Sequence, residues 1–319
     1  MTNTQQQPEN VEEQRQWLIE HKKSTGLSWS MLAVKTGIPQ GTISQFGGKN
    51  GYNGDSTGLA LKVQRYRDKL VTHHTIRKMV TQAPEYFSTP TSEELTNLLH
   101  YAQLGKMAAA AMGAGMSKTS TAKHYQQCYS NVWLATMKPT TATPNTMLVE
   151  VLRALGQREA TGTPQKLSNE VVAKLKDTNG LLIVDECQHL TTPSFEEIRS
   201  WHDQTGIGIA LLGNYSMMSR IEGTSRSSDF AQIFSRLGLK KILNTPLPSD
   251  ALALADAWGF DDEAIRKFIV EISQQPGALR SVTHMIELAS MFAAGAKAPL
   301  DVSFLKDAWA QLSTRSVMS

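Results

Sequence analysis

The spacing of hydrophobic and polar positions changes twice along this chain and divides it into three predicted regions. Residues 1–70 have helical spacing, residues 92–245 alternate short apolar runs with amphipathic stretches, and residues 246–319 return to helical spacing. Short apolar runs that alternate with helices predict a parallel sheet covered by helices on both faces. We therefore expect an α/β core between two helical regions, with a linker at 71–91.

The central region contains predicted strands that are short and apolar. They are Ala108–Ala111, Asn131–Met137, Gly180–Asp185, Gly206–Leu212 and Lys240–Leu243. The first is unusual because alanine favours helices over strands. We assign it to a strand because the residues after it form a motif that requires one. Beyond Leu247 only helices are predicted, at Ala251–Trp258, Asp262–Gln274, Leu279–Ala293 and Ser303–Leu312.

Two short helices joined by a glycine turn are predicted near the N-terminus. Ser28 can cap the first helix, and Gly37 allows the sharp turn before the second. This arrangement predicts a helix-turn-helix. Its predicted inward-facing residues are Met31, Leu32, Val34, Ile43 and Phe46. The second helix would offer Gln40, Thr42, Ser44 and Gln45 to a DNA groove. A helical module that binds protein instead is the alternative.

A phosphate-binding motif is indicated between Lys106 and Ala122. A predicted strand leads into a glycine-containing turn, and Lys118-Thr119 opens a helix. In such a loop, backbone N–H groups cradle phosphates, the lysine reaches the outer ones and the threonine hydroxyl holds Mg²⁺. The predicted ATP-binding residues are Gly113, Ala114, Gly115, Met116, Ser117, Lys118, Thr119 and Ser120. The pattern G-x-x-x-x-G-K-[ST] would place glycine at 112 and 117, where this chain has Met112 and Ser117, so a flexible Ala/Gly linker is the alternative.

Two adjacent carboxylates end the apolar strand that begins at Gly180. An uninterrupted apolar run is typical of a central parallel strand that is buried on both faces. Asp185 is expected to hold Mg²⁺ together with Thr119, and Glu186 to orient and deprotonate the attacking water. The alternative is a buried strand with a solvated acidic end. Together, the loop and the acids favour an ATP site.

Composition sets outer limits on the function. The chain has 319 residues, of which 40% are hydrophobic and 19% charged, as expected for two or three soluble domains. No apolar run approaches the roughly 18 residues of a membrane span, and Met1–Val11 is too polar for a signal peptide. Cys128 and Cys187 have no metal-ligand spacing, which indicates free thiols in a reducing cytoplasm. A net charge of +3 permits nucleic-acid binding without requiring it.

Six short motifs, in order along nearly the whole chain, resemble those of one family of ATPases. They are Tyr52-Asn-Gly-Asp55, Asn131-Val-Trp133, Leu182-Ile-Val-Asp-Glu186, Leu212-Gly-Asn214, Phe234-Ser-Arg236 and Pro276-Gly-Ala-Leu-Arg280. The sequence resembles AAA+ ATPases and, among them, the phage Mu transposition protein B family. The resemblance implies an AAA+ core over 92–245, a helix-turn-helix domain over 1–70 and a helical lid over 246–319.

The resemblance also implies roles for residues outside the phosphate loop. Asn214 would be the first sensor, an amide that holds the attacking water. Arg236 would be the arginine finger that reaches the site of a neighbouring subunit, with Arg220 and Arg226 as substitutes. Arg280 would be the second sensor. For any one arginine the alternative is a surface ion pair. Gln188-His189 occurs in related transposition ATPases, where a capping or packing role is an alternative to a catalytic one.

The function implied is ATP-dependent binding of double-stranded DNA without much sequence preference. The protein would assemble into a homo-oligomeric ring or helical filament in the bacterial cytoplasm, deliver DNA to a partner transposase and activate it. Met112 and Ser117 favour slow hydrolysis that switches assembly. A nucleotide-binding regulator or scaffold that has lost hydrolysis, and a helicase loader, are the alternatives.

In an AAA+ spiral, two loops of the core would face the DNA. Here they are the loops after the second strand and after the helix that follows it. They offer Lys138, Thr140, Thr141, Arg158, Thr161 and Lys166. Cations and hydroxyls suit contacts with phosphates rather than bases. Ordinary solvated loops are the alternative.

Overall fold

The computed structural model describes residues 11–48, 51–79, 86–222, 232–233 and 235–313, and it describes 72–79 by their backbone alone. The chain divides into two compact units, Met1–Thr81 and Gln82–Ser319. No helix in the described ranges has the length and apolar character needed to cross a membrane.

The first unit is built from helices. They are α1 (Val11–Thr25), α2 (Trp29–Thr36), α3 (Gln40–Phe46) and α4 (Ser56–Met79). The Ser28 hydroxyl accepts a hydrogen bond from the Met31 backbone N–H at 3.2 Å, so the predicted cap of α2 is confirmed. Gly37 ends α2 with φ 67°, a left-handed conformation that glycine adopts without strain. Ile43 and Phe46 are buried, as predicted.

Two expectations for the first unit are wrong. Met31 and Val34 are 53% and 86% exposed, because the inner face of α2 follows the i, i+3, i+4 spacing of Trp29, Leu32 and Ala33. In addition, α4 continues to Met79, well into the predicted linker. No glycine or proline lies between Leu70 and Met79 to end it.

The second unit contains a five-stranded parallel sheet. Its strands are β1 (Met107–Met112), β2 (Val132–Thr136), β3 (Leu181–Asp185), β4 (Gly208–Gly213) and β5 (Leu237–Leu243). Their order across the sheet is β2-β3-β4-β1-β5. The parallel sheet predicted from the sequence is therefore confirmed. Because all strands run the same way, their carboxyl ends meet at one edge.

The alanine strand β1 lies at the centre of the sheet, paired with β4 on one side and β5 on the other. Every residue of β1 is buried. Ala108 and Ala110 face one apolar cluster, and Ala109 and Ala111 face the other. Burial on both faces therefore overrides the helical preference of alanine, and the strand assignment is confirmed.

Helices cover both faces of the sheet. They are α5 (Pro90–Gln103), α6 (Lys118–Cys128), α7 (Pro144–Ala154), α8 (Pro164–Leu175), α9 (Thr192–Thr205) and α10 (Tyr215–Glu222). Short 3₁₀ turns follow β2 and β3, at Pro139–Thr141 and Cys187–His189. α5 and α6 pack on one face, and α7, α8 and α9 pack on the other.

The C-terminal part of the second unit is helical, as predicted. Its helices are α11 (Pro248–Ala257), α12 (Glu263–Ser273), α13 (Ala278–Ala296) and α14 (Val302–Ser313). The carboxylate of Asp250 in α11 is fully buried. It accepts hydrogen bonds from the Thr91 backbone N–H at 2.8 Å, the Thr91 hydroxyl at 2.5 Å and the Leu247 backbone N–H at 2.8 Å. These bonds join α11 to the first turn of α5.

Candidate functional site

The candidate site lies at the carboxyl edge of the sheet, where β1 ends and α6 begins. Gly113–Ser117 connect the two elements, and Lys118 is the first residue of α6. The adjacent ends of β3 and β4 supply Asp185, Glu186 and Asn214. Residues about a hundred positions apart in the sequence are therefore brought to one edge.

The glycines of the loop are required by close backbone contacts. A Cβ at Gly113 would lie 2.4 Å from the Asn244 carbonyl oxygen. A Cβ at Gly115 would lie 2.0 Å from the Gly277 carbonyl oxygen, and Gly115 also has φ 78°. Both distances exclude any side chain without a shift of the loop. The sequence did not indicate that Asn244 contacts the loop, whereas Gly277 lies in one of the six motifs noted above.

The two departures from the usual loop pattern have different structural consequences. Met112 is the last residue of β1, and its side chain is buried among apolar neighbours, so it does not lie in the turn itself. Ser117 has φ 59° and ψ 14°, a left-handed conformation. For a non-glycine residue this costs about 1–2 kcal/mol. Ser117 is therefore the position where the loop departs from the glycine pattern at an energetic cost.

Lys118 is held inside the loop that precedes it. Its ammonium donates to the Met112 carbonyl oxygen at 2.8 Å and to the Gly113 carbonyl oxygen at 2.9 Å. Burial lowers the pKa of Lys118, and the nearby Glu186 and Asp185 carboxylates partly offset this effect. An anion bound at the loop would add the negative charge that a buried ammonium requires.

Thr119 and Asp185 form a direct pair. The Thr119 hydroxyl donates to the Asp185 carboxylate at 2.6 Å. Burial raises the pKa of Asp185, against hydrogen bonds from Thr119 and from the Glu186 backbone N–H that lower it. No cluster of three or more His, Cys, Asp or Glu side chains that could hold a metal occurs in the described part of the chain. A hydroxyl and one carboxylate fit Mg²⁺, which takes few protein ligands and completes its shell with water and phosphate.

Glu186 follows Asp185 in an unusual backbone conformation. It has φ 59° and ψ 37°, and its backbone N–H donates to the Asp185 carboxylate at 2.9 Å. Its own carboxylate accepts a hydrogen bond from the Gln188 side-chain amide. Left-handed non-glycine residues are enriched at functional sites. The conformation turns the chain after β3, so the two adjacent acids have different neighbours.

Asn214 and Arg280 reach the same edge of the sheet from different elements. The side-chain oxygen of Asn214 accepts from the Ser216 backbone N–H at 3.0 Å and from the Ser216 hydroxyl at 2.6 Å, which fixes its amide at the start of α10. Arg280 lies in the first turn of α13, with its Cβ 3.2 Å from the position that a Cβ on Gly115 would occupy. The Arg280 charge also contributes to the lowered pKa of Lys118.

The candidate arginine fingers have different surroundings. Arg236 immediately precedes β5 and donates to the Asp203 carboxylate at 2.7 Å, which lowers the pKa of Asp203. The Arg236 side chain is 34% exposed. Arg220 donates to the Leu190 carbonyl oxygen at 2.8 Å and lies over the Phe195 ring, which favours a structural role. Arg226 lies outside the described residues.

The residues predicted to touch DNA lie on several surfaces. Gln40 and Gln45 are exposed on α3, with Thr42 and Ser44 half-buried beside them. Lys138, Thr140, Arg158, Thr161 and Lys166 are exposed, and Thr141 is half-buried. The loops that carry Lys138 and Arg158 flank the two ends of α7, whose eleven residues span about 16 Å. The structure therefore does not bring these two cations together.

Comparisons with known proteins cover nearly the whole chain. The family model "AAA domain" matches residues 107–221, and "Mu B transposition protein, C terminal" matches residues 235–312. The chain is 31% identical over 296 residues to "ATP-dependent target DNA activator B" of Escherichia phage Mu, covering 92% of each protein. It is also 31% identical over 269 residues to "Mu-like prophage FluMu DNA transposition protein B" of Haemophilus influenzae, covering 83% of this chain and 92% of that protein.

A solved structure supports the fold. The chain resembles one from the structure of Drosophila ORC bound to DNA, with a TM-score of 0.55 and 12% identity. The match covers 76% of this chain and 66% of the other. At this identity the likeness concerns the fold alone. It agrees with the AAA family match, so the expected fold class is confirmed.

Proposed function

This chain belongs to the Mu B transposition protein family, and on that premise we propose that it binds double-stranded DNA in an ATP-dependent manner and activates a partner transposase. The observation that carries the ATP dependence is the arrangement of Lys118, Thr119 and Asp185. A lysine and a threonine at the start of a helix face a buried strand-end carboxylate, with 2.6 Å between the Thr119 hydroxyl and Asp185.

The phosphate loop supplies the binding groups for ATP. Its backbone N–H groups and the N-terminus of α6 attract phosphate oxygens. The Lys118 ammonium would replace its bonds to the loop carbonyls with bonds to the ATP phosphates. A negatively charged partner stabilises a cation that is buried away from water. Mg²⁺, when bound, would neutralise phosphate charge, with Thr119 and Asp185 as its protein ligands. Arg280 would approach the same nucleotide from the lid.

Hydrolysis would depend on Glu186 and Asn214. Glu186 would accept a proton from the attacking water, and the Asn214 amide would fix that water in place. Slow turnover fits a loop that carries the strain of Ser117. A protein that uses ATP to assemble on DNA needs a long-lived ATP-bound state more than a high rate of hydrolysis. The same strain favours, as a second candidate, a regulator that binds ATP without hydrolysing it.

An electrophoretic mobility shift with ATP, ADP or no nucleotide tests this proposal. We expect retention of arbitrary duplexes with ATP and little retention with ADP or without nucleotide. Equal retention in all three conditions would overturn the ATP dependence. Stimulation of the cognate transposase by the ATP-bound complex tests the second half of the proposal.

Arg236 would act across a subunit interface. Arg236→Ala and Glu186→Gln should each lack ATPase activity alone, and a mixture should recover part of it, because some interfaces then pair an intact Arg236 with an intact Glu186. Measuring phosphate release across mixing ratios checks this. Arg199→Ala is the matched control, since Arg199 shares the Asp203 partner at the same surface. No recovery despite co-assembly would shift the role to Arg220 or Arg226.

Lys138 and Arg158 would bind phosphates on arbitrary DNA. Each alanine variant should weaken binding equally across sequences and reduce the slope of log K against log salt by about one unit for each phosphate that is no longer neutralised. Fluorescence anisotropy over a salt series measures this slope, with exposed Lys306→Ala on α14 as the control. An unchanged slope, with no binding after removal of residues 1–81, would assign the DNA interface to the helix-turn-helix.

A further inference from the structure

The side-chain amide of Gln188 makes two hydrogen bonds next to the candidate catalytic residues. Its nitrogen donates to the Glu186 carboxylate. Its oxygen accepts a hydrogen bond from the Asn214 backbone N–H at 3.3 Å. One side chain thus connects the acid after β3 with the amide residue after β4. The packing is tight, because a Cβ at Gly213 would lie 3.0 Å from the same Gln188 oxygen.

The backbone around Gln188 is held independently of this side chain. Arg220 donates to the Gln188 carbonyl oxygen at 3.3 Å and to the Leu190 carbonyl oxygen at 2.8 Å. The His189 backbone N–H donates to the Glu186 carbonyl oxygen at 3.1 Å. The 3₁₀ turn is therefore fixed by main-chain groups and by α10. The two hydrogen bonds of the Gln188 side chain therefore connect Glu186 to the end of β4 and are separate from those that hold the turn.

We infer that Gln188 is a positioning residue for ATP hydrolysis. It holds the Glu186 carboxylate toward Asn214, so that both residues contact the water that attacks ATP. The inference rests on the proposed ATPase function. The carboxylate stands on a residue in a strained conformation with φ 59°, so its orientation needs support from a neighbour. A neutral amide supplies that support because it donates to the carboxylate without the salt bridge that a lysine or arginine would form.

Gln188→Leu tests the inference because leucine has a similar size and neither donates nor accepts a hydrogen bond. We expect kcat for ATP hydrolysis to fall by about 10- to 100-fold, as for other residues that orient a catalytic group. The Kd for a fluorescent ATP analogue and the thermal unfolding midpoint should stay near wild type. Gln204→Leu is the control, since it makes the same substitution at an exposed position of α9 and should retain wild-type kcat.

A double-mutant cycle separates positioning from a general effect on folding. If Gln188 acts through Glu186, adding Gln188→Leu to Glu186→Gln should change the residual single-turnover rate by no more than about 2-fold. A full further loss in that background would overturn the inference, as would a Gln188→Leu enzyme with wild-type kcat. Wild-type protein that does not hydrolyse ATP would instead refute the proposed ATPase function.

Discussion

Lys118→Ala is expected to abolish ATP binding and, with it, nucleotide-dependent binding of DNA. The Lys118 ammonium is the buried cation of the loop and donates hydrogen bonds to two carbonyl oxygens. Hydrogen bonds to charged groups contribute about 1.5–3 kcal/mol each. Losing two bonds from the ammonium to the phosphates of ATP would therefore weaken ATP binding by roughly 100-fold or more. Titration with a fluorescent ATP analogue and a mobility shift with ATP measure the two effects.

Lys123→Ala is the matched control for this experiment. Lys123 lies on the same helix α6 and is exposed, so its loss should leave ATP affinity unchanged. The free energy of unfolding should also be measured for both variants, because Lys118 holds the loop carbonyls in the absence of ATP. ATP-dependent retention of DNA by a folded Lys118→Ala protein would contradict the assignment of the phosphate loop.

Glu186→Gln should leave ATP binding intact and remove hydrolysis. The amide keeps the size of the side chain but cannot accept the proton of the attacking water, a step that contributes about 10²- to 10⁴-fold to a rate. Asp185 and Thr119 are unchanged, so the proposed Mg²⁺ ligands stay in place. Phosphate release should fall by about 10²- to 10⁴-fold, and dissociation of the protein from DNA in the presence of ATP should become slower.

The control for charge is Glu159→Gln, which neutralises an exposed acid in the loop between α7 and α8. It should hydrolyse ATP at the wild-type rate. If the wild-type protein releases no phosphate and Glu186→Gln binds DNA with the same lifetime, the chain is a nucleotide-dependent scaffold rather than an ATPase.

The sequence predicted the elements that carry the candidate site because their signals are local. The apolar run before Asp185 and the helix opened by Lys118 are defined by neighbouring residues, and both are found where they were expected. β1 was predicted against the preference of alanine from the motif that follows it. β1 lies at the centre of the sheet with both faces buried, which explains why the motif predicted the strand correctly and the helical preference of alanine did not.

Features set by contacts distant in sequence were not predictable. The surroundings of Met112 depend on where β1 ends, and the motif alone does not show that this side chain is the buried last residue of the strand. The exposure of Met31 and Val34 depends on which side of α2 faces α4, which a run of apolar residues does not specify. The connection of Glu186 to Asn214 through Gln188 joins two strand ends and has no signature in either segment.

The bonds of Asp250 bear on whether the core and the C-terminal helices can be separated. The boundary predicted at 245/246 falls between β5 and α11, yet a protein cut there would leave the Asp250 carboxylate in one fragment and the Thr91 donors in the other. Each buried polar group left without its partner costs about 1–3 kcal/mol, and more when it is charged. The two parts are therefore interdependent for stability, so a boundary drawn from motifs does not define fragments that could be exchanged or expressed alone.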